Sequence, residues 1–504
     1  MTSFAHVSGH PSCDCPFRSQ AAVPFNHGTR RGSPAATCPA DLSTFPPSKA
    51  RAGRQRSSFL FNPVTDRSHV KGRIGATALI AAGLAGAALV LTGVLIFLSR
   101  QTLEMPSNAP ATTSVPMATL TYRPTPIGAP ASEFARPWVS NVQVVDLDRD
   151  GLVDVLYCEA QKNSVRWIRQ SSRGVFTEKI LAEEIPGPVH VWAADVNGTG
   201  RLDVLVASMG QLQPMNDRIG ALYVLENVDN RNFTKRRLLE HVARVTDVRA
   251  ANLAGHVDGR LDLVVGQFGY DQGETRWMEN QGDWKFESHV VNTQSGTIHT
   301  PVADFDGDGK VDFASLVSQE WEEVHWFKNL GGGRFKDSVV WGARSEDYGS
   351  SGLGVADINQ DGKPDLLYTN GDGFDYSVRG PRPWHGVQWI ENRGGGEFQF
   401  HRIGDFPGAF GPTAVDLDGN GTIDVLAVSG FSDWSNPEAP TMMAWLNDGR
   451  QHFTPQVLAR SPTHIMTAAA GDLDGNGVPV IVTGCLYATP TQEPMSSVLL
   501  WRRQ

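Results

Sequence analysis

The sequence predicts an all-β protein, a seven-bladed β-propeller with four-stranded blades, and three observations support this fold class. An acidic loop of the pattern D-x-[DN]-x-[DN]-G-x-x-D, with short apolar segments on both sides, recurs about every 50 residues from Asp146 onward, as propeller blades do. An aromatic residue marks the third strand of every repeat. Glycine and proline number 52 and 31 of 504 residues, which suits short strands joined by turns.

Three segments precede the repeats. Residues 1–73 are rich in Pro, Ser, Arg and Gly without sustained periodicity, which predicts a disordered tail. Residues 74–98 form an uncharged run that would make about 37 Å of helix, enough to cross a hydrocarbon core of about 30 Å. Residues 99–117 are expected to be a Pro/Thr/Ser-rich linker. The sequence therefore predicts one transmembrane helix before a propeller that spans residues 118–504.

The charges around the apolar run predict its orientation. Six basic residues lie between Arg51 and Arg73, whereas Arg100 is followed by Glu104. By the positive-inside rule the N-terminus would be cytoplasmic and the propeller periplasmic or extracellular. Secretion after cleavage of a signal peptide is the alternative, although the run is long for one.

Composition excludes one class of partner and constrains the thiols. The formal net charge of −10 comes largely from the acidic loops, and no basic stripe crosses the repeats, so nucleic acid is not an expected partner. Cys158 and Cys485 lie in the first and last repeats, which a closed ring makes neighbours. A disulfide is conceivable there, but buried free thiols are the expectation.

Two sets of aromatic residues count the blades independently of the acidic loops. One residue lies in each third strand: Trp167, Tyr223, Trp277, Trp326, Trp389, Trp445 and Trp501. A second aromatic follows the next turn in six repeats: Phe176, Phe233, Phe286, Phe335, Phe398 and Phe453. We expect the third-strand aromatics to pack in the core.

The seventh repeat lacks a fourth strand because the chain ends shortly after Trp501. Ala118–Pro126 resembles Phe453–Ala459, the outer strand of the sixth repeat. We therefore predict that this N-terminal segment pairs with the last blade and closes the ring, with Leu120 or Tyr122 in the vacant aromatic position. Closure removes open sheet edges that would otherwise favour aggregation.

The acidic loops have the spacing of calcium sites. Calcium takes about 6–8 oxygen ligands, and glycine at the sixth position allows the turn that directs alternate side chains inward. Four loops have a complete set: Asp146, Asp148, Asp150 and Asp154; Asp304, Asp306, Asp308 and Asp312; Asp357, Asn359, Asp361 and Asp365; and Asp416, Asp418, Asn420 and Asp424. A weaker fifth set has Asp195, Asn197 and Asp203 with Thr199. The loops at Asn252 and Asp472 are expected to be empty or weakly occupied. A hydrogen-bonded turn without metal is the alternative.

Loops such as DFDGDGKVDF and DLDGNGTIDV make these repeats similar to the FG-GAP/VCBS repeats of the integrin-α-type propeller. The resemblance covers residues 119–504 and implies the propeller fold and calcium as cofactor. It leaves the activity open, because the family includes adhesion receptors, lectin-like modules and polysaccharide lyases. A single membrane-anchored propeller also resembles bacterial surface or periplasmic proteins.

The rim opposite the acidic loops is the expected ligand-binding surface, because the long connections between second and third strands gather there. The blade 5 connection, Asn370–Gly386, is the most suggestive, since its aromatic and charged side chains suit sugar or peptide recognition. The candidate ligand-binding residues are Tyr376, Arg379, Arg382, Trp384 and His385, with Trp434 of blade 6. His190 and His299 are expected to approach the central channel, as solvated polar groups or, less favoured, as a metal site or catalytic base.

No nucleophile elbow, H-E-x-x-H motif or phosphate-binding loop occurs in the sequence. The sequence therefore favours a monomeric, calcium-braced propeller outside the cytoplasm that binds a carbohydrate or protein ligand at the cell envelope. A carbohydrate-active enzyme, either a polysaccharide lyase or a hydrolase, on the same scaffold is the alternative.

Overall fold

The computed structural model describes residues 120–128, 136–213, 215–319, 321–374, 376, 380–487 and 493–504. Every regular element within these ranges is a strand, and none of the described segments forms a helix able to cross a membrane. The predicted tail, transmembrane helix and linker lie outside the described residues.

The strands form seven antiparallel sheets, which are the predicted blades. The first strand, β1 (Tyr122–Pro126), belongs to the last blade. Blade 1 contains β2 (Val139–Val145), β3 (Asp154–Glu159), β4 (Ser164–Ser172) and β5 (Val175–Ala182). Blade 2 contains β6 (Pro188–Ala194), β7 (Asp203–Ser208), β8 (Gly220–Asn227) and β9 (Phe233–Val242). Blade 3 contains β10 (Arg244–Ala251), β11 (Asp262–Phe268), β12 (Glu274–Asn280) and β13 (Phe286–Asn292).

The first strand of blade 4 is interrupted, so that β14 (Thr297–His299) and β15 (Val302–Ala303) both pair with β16 (Asp312–Val317). This blade continues with β17 (Glu323–Asn329) and β18 (Phe335–Gly342). Blade 5 contains β19 (Ser350–Ala356), β20 (Asp365–Asn370), β21 (Gly386–Gly394) and β22 (Glu397–Asp405). Blade 6 contains β23 (Ala409–Val415), β24 (Asp424–Ser429), β25 (Met442–Asn447) and β26 (Phe453–Ala459). Blade 7 contains β27 (Ile465–Gly471), β28 (Val480–Cys485), β29 (Val498–Arg503) and β1.

The N-terminal strand closes the ring as the sequence predicts. β1 pairs antiparallel with β29, and Tyr122 lies opposite Arg503. Phe286 holds the corresponding position opposite Asn280 in blade 3. Tyr122 is buried, and Leu120 is buried beside it against the last two blades. Tyr122 therefore fills the vacant aromatic position.

The third-strand aromatics are all buried, as expected, but they face in two directions. Those of blades 1, 3, 4 and 5 pack toward the next blade, and those of blades 2, 6 and 7 pack toward the preceding one. The cause is a one-residue difference in position, because successive side chains of a strand point to opposite faces. Trp277 lies opposite Val264, whereas Trp445 lies opposite Val425, which is one residue nearer the acidic loop of its own blade.

Cys158 in β3 and Cys485 in β28 are both buried and free. The expectation of free thiols is confirmed, and no disulfide joins the first and last blades through these two residues.

Candidate functional site

Each acidic loop joins the first two strands of a blade and is closed by its first side chain. This side chain is a carboxylate in every blade but the third, where the amide oxygen of Asn252 accepts the backbone N–H groups of Gly255 and His256. Asp304 of blade 4 accepts the backbone N–H groups of Gly307, Asp308 and Gly309 at 2.8 to 3.1 Å. Gly309 has a φ of +84°, with open space where a Cβ would lie, so its conformation and not crowding requires glycine. The loops that begin at Asp146, Asp195, Asp357, Asp416 and Asp472 are closed in the same way.

In every blade but the seventh, where Val480 stands at this position, a closing carboxylate ties the acidic loop to the third strand of its blade. Asp312 is fully buried and accepts the backbone N–H of Phe305 at 3.3 Å and that of Asn329 at 2.7 Å. The same pair of bonds is made by Asp154, Asp203, Asp365 and Asp424. Burial raises the pKa of Asp154 to about 7 and that of Asp424 to about 6. A cation bound nearby would favour their ionised forms.

Basic side chains pair with the third-position carboxylate of three loops. Each comes from the third strand of the same blade and immediately precedes the residue whose backbone N–H donates to the closing carboxylate, or the equivalent residue in blade 7. The pairs are Arg169 with Asp148, Lys328 with Asp306, and Arg502 with Asp474. A guanidinium or ammonium group in these loops supplies the positive charge that a calcium ion would supply.

The same strand position is acidic where the loop has no carboxylate at its third position. Glu226, Glu279 and Glu391 stand there, and the corresponding loop residues are Asn197, Ala254 and Asn359. Blade 6 combines Leu446 with Asp418, a carboxylate without a charged partner at that strand position. In six blades this third-strand residue is therefore basic where the third loop position is a carboxylate and acidic where it is not. Blade 6 is the exception.

Two further loops contain a basic side chain of their own. In blade 3, Nε2 of His256 lies 2.8 Å from Oδ1 of the closing residue Asp262. In blade 5, Nζ of Lys363 lies 2.6 Å from Oδ2 of Asp361. The departure of the blade 3 loop from the acidic pattern therefore introduces an imidazole beside the position where an ion would bind.

Three groups of carboxylates have oxygens within 4.8 Å of one another and could hold a metal ion: Asp146, Asp148 and Asp154; Asp304, Asp306 and Asp308; and Asp416, Asp418 and Asp424. The first two groups include carboxylates paired with Arg169 or Lys328. Among the described residues, no basic side chain forms an ion pair with the third group. The blade 6 loop therefore fits a divalent cation best.

The connection between the second and third strands of blade 5 contains most of the predicted ligand-binding residues. Nε1 of Trp384 and the hydroxyl of Tyr376 both donate to the carbonyl oxygen of Asp347, at 3.0 and 2.8 Å. The guanidinium of Arg382 lies 3.7 Å from the ring centroid of Tyr376. The structure thus brings three of the predicted residues together around Asp347, and Arg379 lies outside the described residues.

His385 lies beneath this connection and not on its surface. The residue is buried, and its Nδ1 accepts the backbone N–H groups of Arg382 and Gly408, each at 3.3 Å. Burial, assisted by Arg382 and Arg402, lowers the pKa of His385 to about 4, so its imidazole is neutral at pH 7. Trp434 of blade 6 packs on His464 of blade 7, with their ring centroids 5.4 Å apart.

Exposed aromatic side chains gather on the rim opposite the acidic loops. Within the described ranges, the large aromatic residues that are strongly exposed are Tyr270, Trp321 and Trp384, at 39, 55 and 41%. They lie in the connections between second and third strands of blades 3, 4 and 5. The sequence gives the lengths of these connections, but exposure of Tyr270 and Trp321 requires the packed structure.

A cavity of about 630 Å³ lies on the ring axis, and all seven innermost strands contribute to its wall. His190 and His299 line it, as the sequence predicts. Two residues of β10 complete this group: Arg249 also lines the cavity, and Asp247 is fully buried beside both histidines. No linear motif marks them, and the only signal is that charged residues interrupt an otherwise apolar inner strand.

Comparison with known protein families matches the FG-GAP-like repeat to residues 146–206, 257–315, 304–368 and 369–427. These stretches contain the acidic loops of blades 1, 2, 4, 5 and 6, and the resemblance drawn from those loops is confirmed. No curated protein sequence matches the chain.

Proposed function

Because this chain is an FG-GAP repeat β-propeller protein, we propose that it is a binding module for a carbohydrate or protein ligand. The observation that carries the proposal is the exposure of Tyr270, Trp321 and Trp384 in the connections between second and third strands of three consecutive blades. Exposed aromatic faces provide the contact area that sugar rings and apolar side chains need.

The blade 5 connection supports the same function because its aromatic groups are held in place before a ligand arrives. Trp384 and Tyr376 share the carbonyl of Asp347 as their acceptor, and Arg382 stacks on Tyr376. Side chains that are already ordered lose less entropy on binding. Arg382 adds a positive charge that can orient a polar ligand.

On the opposite rim, calcium would brace the blade 6 loop through Asp416, Asp418, Asn420 and Asp424. Affinity of about 10⁻⁴ to 10⁻³ M, as in extracellular modules, would suffice for a bracing role. In the loops of blades 1 and 4, calcium would first have to displace Arg169 or Lys328 from the carboxylates. We therefore propose that the calcium brace is concentrated in blade 6.

We further propose that the propeller acts at the cell envelope, anchored by residues 74–98 with its N-terminus in the cytoplasm. Release after cleavage would instead give a secreted propeller. Alkaline carbonate extraction of membranes separates the two, because an anchored chain stays in the membrane fraction and a secreted one appears at full amount in the medium.

A carbohydrate-active enzyme is the second candidate, and one contact favours it. Nδ1 of His190 lies 2.9 Å from Oδ1 of the buried Asp247, beside the axial cavity. A carboxylate that orients an imidazole is a common arrangement for a general base. Release of unsaturated or reducing ends from a polysaccharide would identify this activity.

The test is a screen of the full chain against glycans and peptides, with calcium or with chelator. Trp384→Ala and Trp321→Ala are expected to lose most of the binding to any ligand that is found. Leu330→Ala is the matched control, because Leu330 is 44% exposed in the turn between β17 and β18 on the opposite rim. Binding that is equally strong in all three variants would contradict the proposal.

A further inference from the structure

The charged groups on the inner strands around the axial cavity are confined to one side. His190, Arg249 and His299 come from blades 2, 3 and 4, whereas the inner strands of blades 5, 6 and 7 contribute small or apolar residues such as Gly352, Pro412 and the alanines of β27. Asp372 also lines the cavity, but it belongs to the connection after the second strand of blade 5 and not to an inner strand. The cavity therefore has one polar wall and one apolar wall, which is the usual composition of a small-ligand site.

Asp247 holds the polar wall together. One of its oxygens lies 2.9 Å from Nδ1 of His190, and the other accepts the backbone N–H of Thr300 at 2.7 Å. Nε of Arg249 lies 3.3 Å from the carboxylate. Burial alone would raise the pKa of Asp247, but Arg249 and His190 hold it below its usual range. The carboxylate is thus ionised, and the positive charge of Arg249 balances its negative charge.

The imidazoles consequently present hydrogen-bond acceptors. A carboxylate can only accept, so from the 2.9 Å distance we assign the proton of His190 to Nδ1, which leaves a lone pair on its Nε2. Nε2 of His299 lies 3.3 Å from the carbonyl oxygen of Ser351, which likewise places its proton on Nε2 and leaves Nδ1 as the acceptor. Burial lowers the pKa of both histidines, so both are neutral at pH 7.

Arg249 and two amides provide the donors. The guanidinium of Arg249 stacks 4.4 Å from the ring centroid of Trp192, and its Nε donates to the carboxylate of Asp247 at 3.4 Å. Its two Nη groups have no hydrogen-bond partner among the described residues. The side-chain oxygens of Asn141 and Gln143 accept backbone N–H groups of β6, so their NH₂ groups remain to donate. A guanidinium with unused donors is suited to a carboxylate.

We propose that the axial cavity binds a carboxylate-bearing sugar residue, with Arg249 holding the carboxylate and Nε2 of His190 accepting a sugar hydroxyl. This inference rests on the proposed binding function and names the chemical class of its ligand. Trp192 supplies an aromatic surface, and the amides of Asn141 and Gln143 donate to further oxygens. The nearby guanidinium disfavours a metal ion at the two imidazoles, because like charges repel.

The test is calorimetric titration of the full chain with trigalacturonate and triglucuronate, each compared with its methyl ester. The acid forms are expected to bind at least about tenfold more tightly than the esters, since the ester removes the charge that Arg249 recognises. Arg249→Lys is the informative variant, because it retains a positive charge beside Asp247 but loses the planar fork. We expect it to weaken acid binding at least about tenfold.

Arg236→Met is the matched control, since Arg236 pairs with Glu226 on the outer part of blade 2, away from the cavity. Its affinity for the acid sugars should equal that of the unmodified chain. Three results would overturn the inference: the acid and its ester bind equally tightly, Arg249→Lys binds the acid sugars as tightly as the unmodified chain does, or neither acid sugar binds. Aromatic-dependent binding of a neutral glycan or a peptide would then leave the proposed binding function intact.

Discussion

Asn392 in blade 5 donates its side-chain N–H to the backbone carbonyl of Phe305, 2.6 Å away in the acidic loop of blade 4. The bond joins residues from neighbouring blades at the rim that carries the acidic loops. Equivalent bonds from a third strand to the preceding loop are made by Gln170, Asn280, Asn329, Asn447 and Arg503. Side-chain hydrogen bonds between blades thus connect most of this rim.

Asn392→Ala is expected to lower the free energy of unfolding by about 1 kcal/mol more than Asn227→Ala. Asn227 is the matched control because it holds the same position in blade 2, where its amide donates to Leu202 of the same blade. Only the first variant deprives a loop carbonyl in the neighbouring blade of its donor. Denaturant titration measures both values, and equal losses would show that the bond between blades adds nothing.

Lys328→Met is expected to increase the calcium affinity of the blade 4 loop several-fold. The reason is that Lys328 pairs with Asp306 and lies 3.8 Å from Asp308, where its ammonium group repels an incoming ion. Calcium titration by calorimetry or terbium luminescence measures the change. Lys336→Met is the control, because Lys336 is exposed on the outer strand opposite Lys328. An unchanged affinity in Lys328→Met would mean that calcium readily displaces the lysine.

His385 is expected to make the protein less stable in mild acid. Its pKa is about 4 in the folded chain and about 6.5 when unfolded, so the unfolded state binds more protons between these values. Its contribution is complete above about pH 6.5 and is lost as the pH falls toward 4, amounting to about 3 kcal/mol in all. His385→Gln should therefore show a smaller decrease in the free energy of unfolding from pH 7 to pH 5.

His452→Gln is the control for this pH effect, because the side chain of His452 is 78% exposed. It should retain the pH dependence of the unmodified chain. If His385→Gln retained it as well, the acid sensitivity would have to come from other groups.

Cys158 and Cys485 are expected to resist alkylation in the folded protein. Both thiols are fully buried, and burial raises the pKa of Cys485 to about 12 and that of Cys158 well above its usual value. The reactive thiolate is therefore scarce as well as inaccessible at pH 7. Peptide mass spectrometry after iodoacetamide treatment should find both unmodified, and Val228→Cys, at an exposed position, should be labelled rapidly. Labelling of either native thiol at the same rate would contradict its burial.

Local patterns were sufficient to predict the number of blades, their strands, the closing strand and the free thiols. Repeat period, turn glycines and strand alternation depend on residues close together in sequence, so they can be recognised without coordinates. The same reasoning placed His190 and His299 at the channel. It did not distinguish the two directions in which the third-strand aromatics face. A one-residue shift along the strand reverses the direction of the side chain but leaves the aromatic residue in the same strand, so the repeat pattern looks the same.

The sequence alone determined that this chain is a closed seven-bladed propeller with acidic loops on one rim and long connections on the other. Only the tertiary structure decided which loop carboxylates are paired with a basic side chain and which remain free to bind a metal ion. It also decided that Asp247 of one blade joins His190 and His299 of its two neighbours. The physical reason is that charge pairing acts through space between residues about 20 to 60 positions apart, and only the folded blades and their closed ring fix those distances.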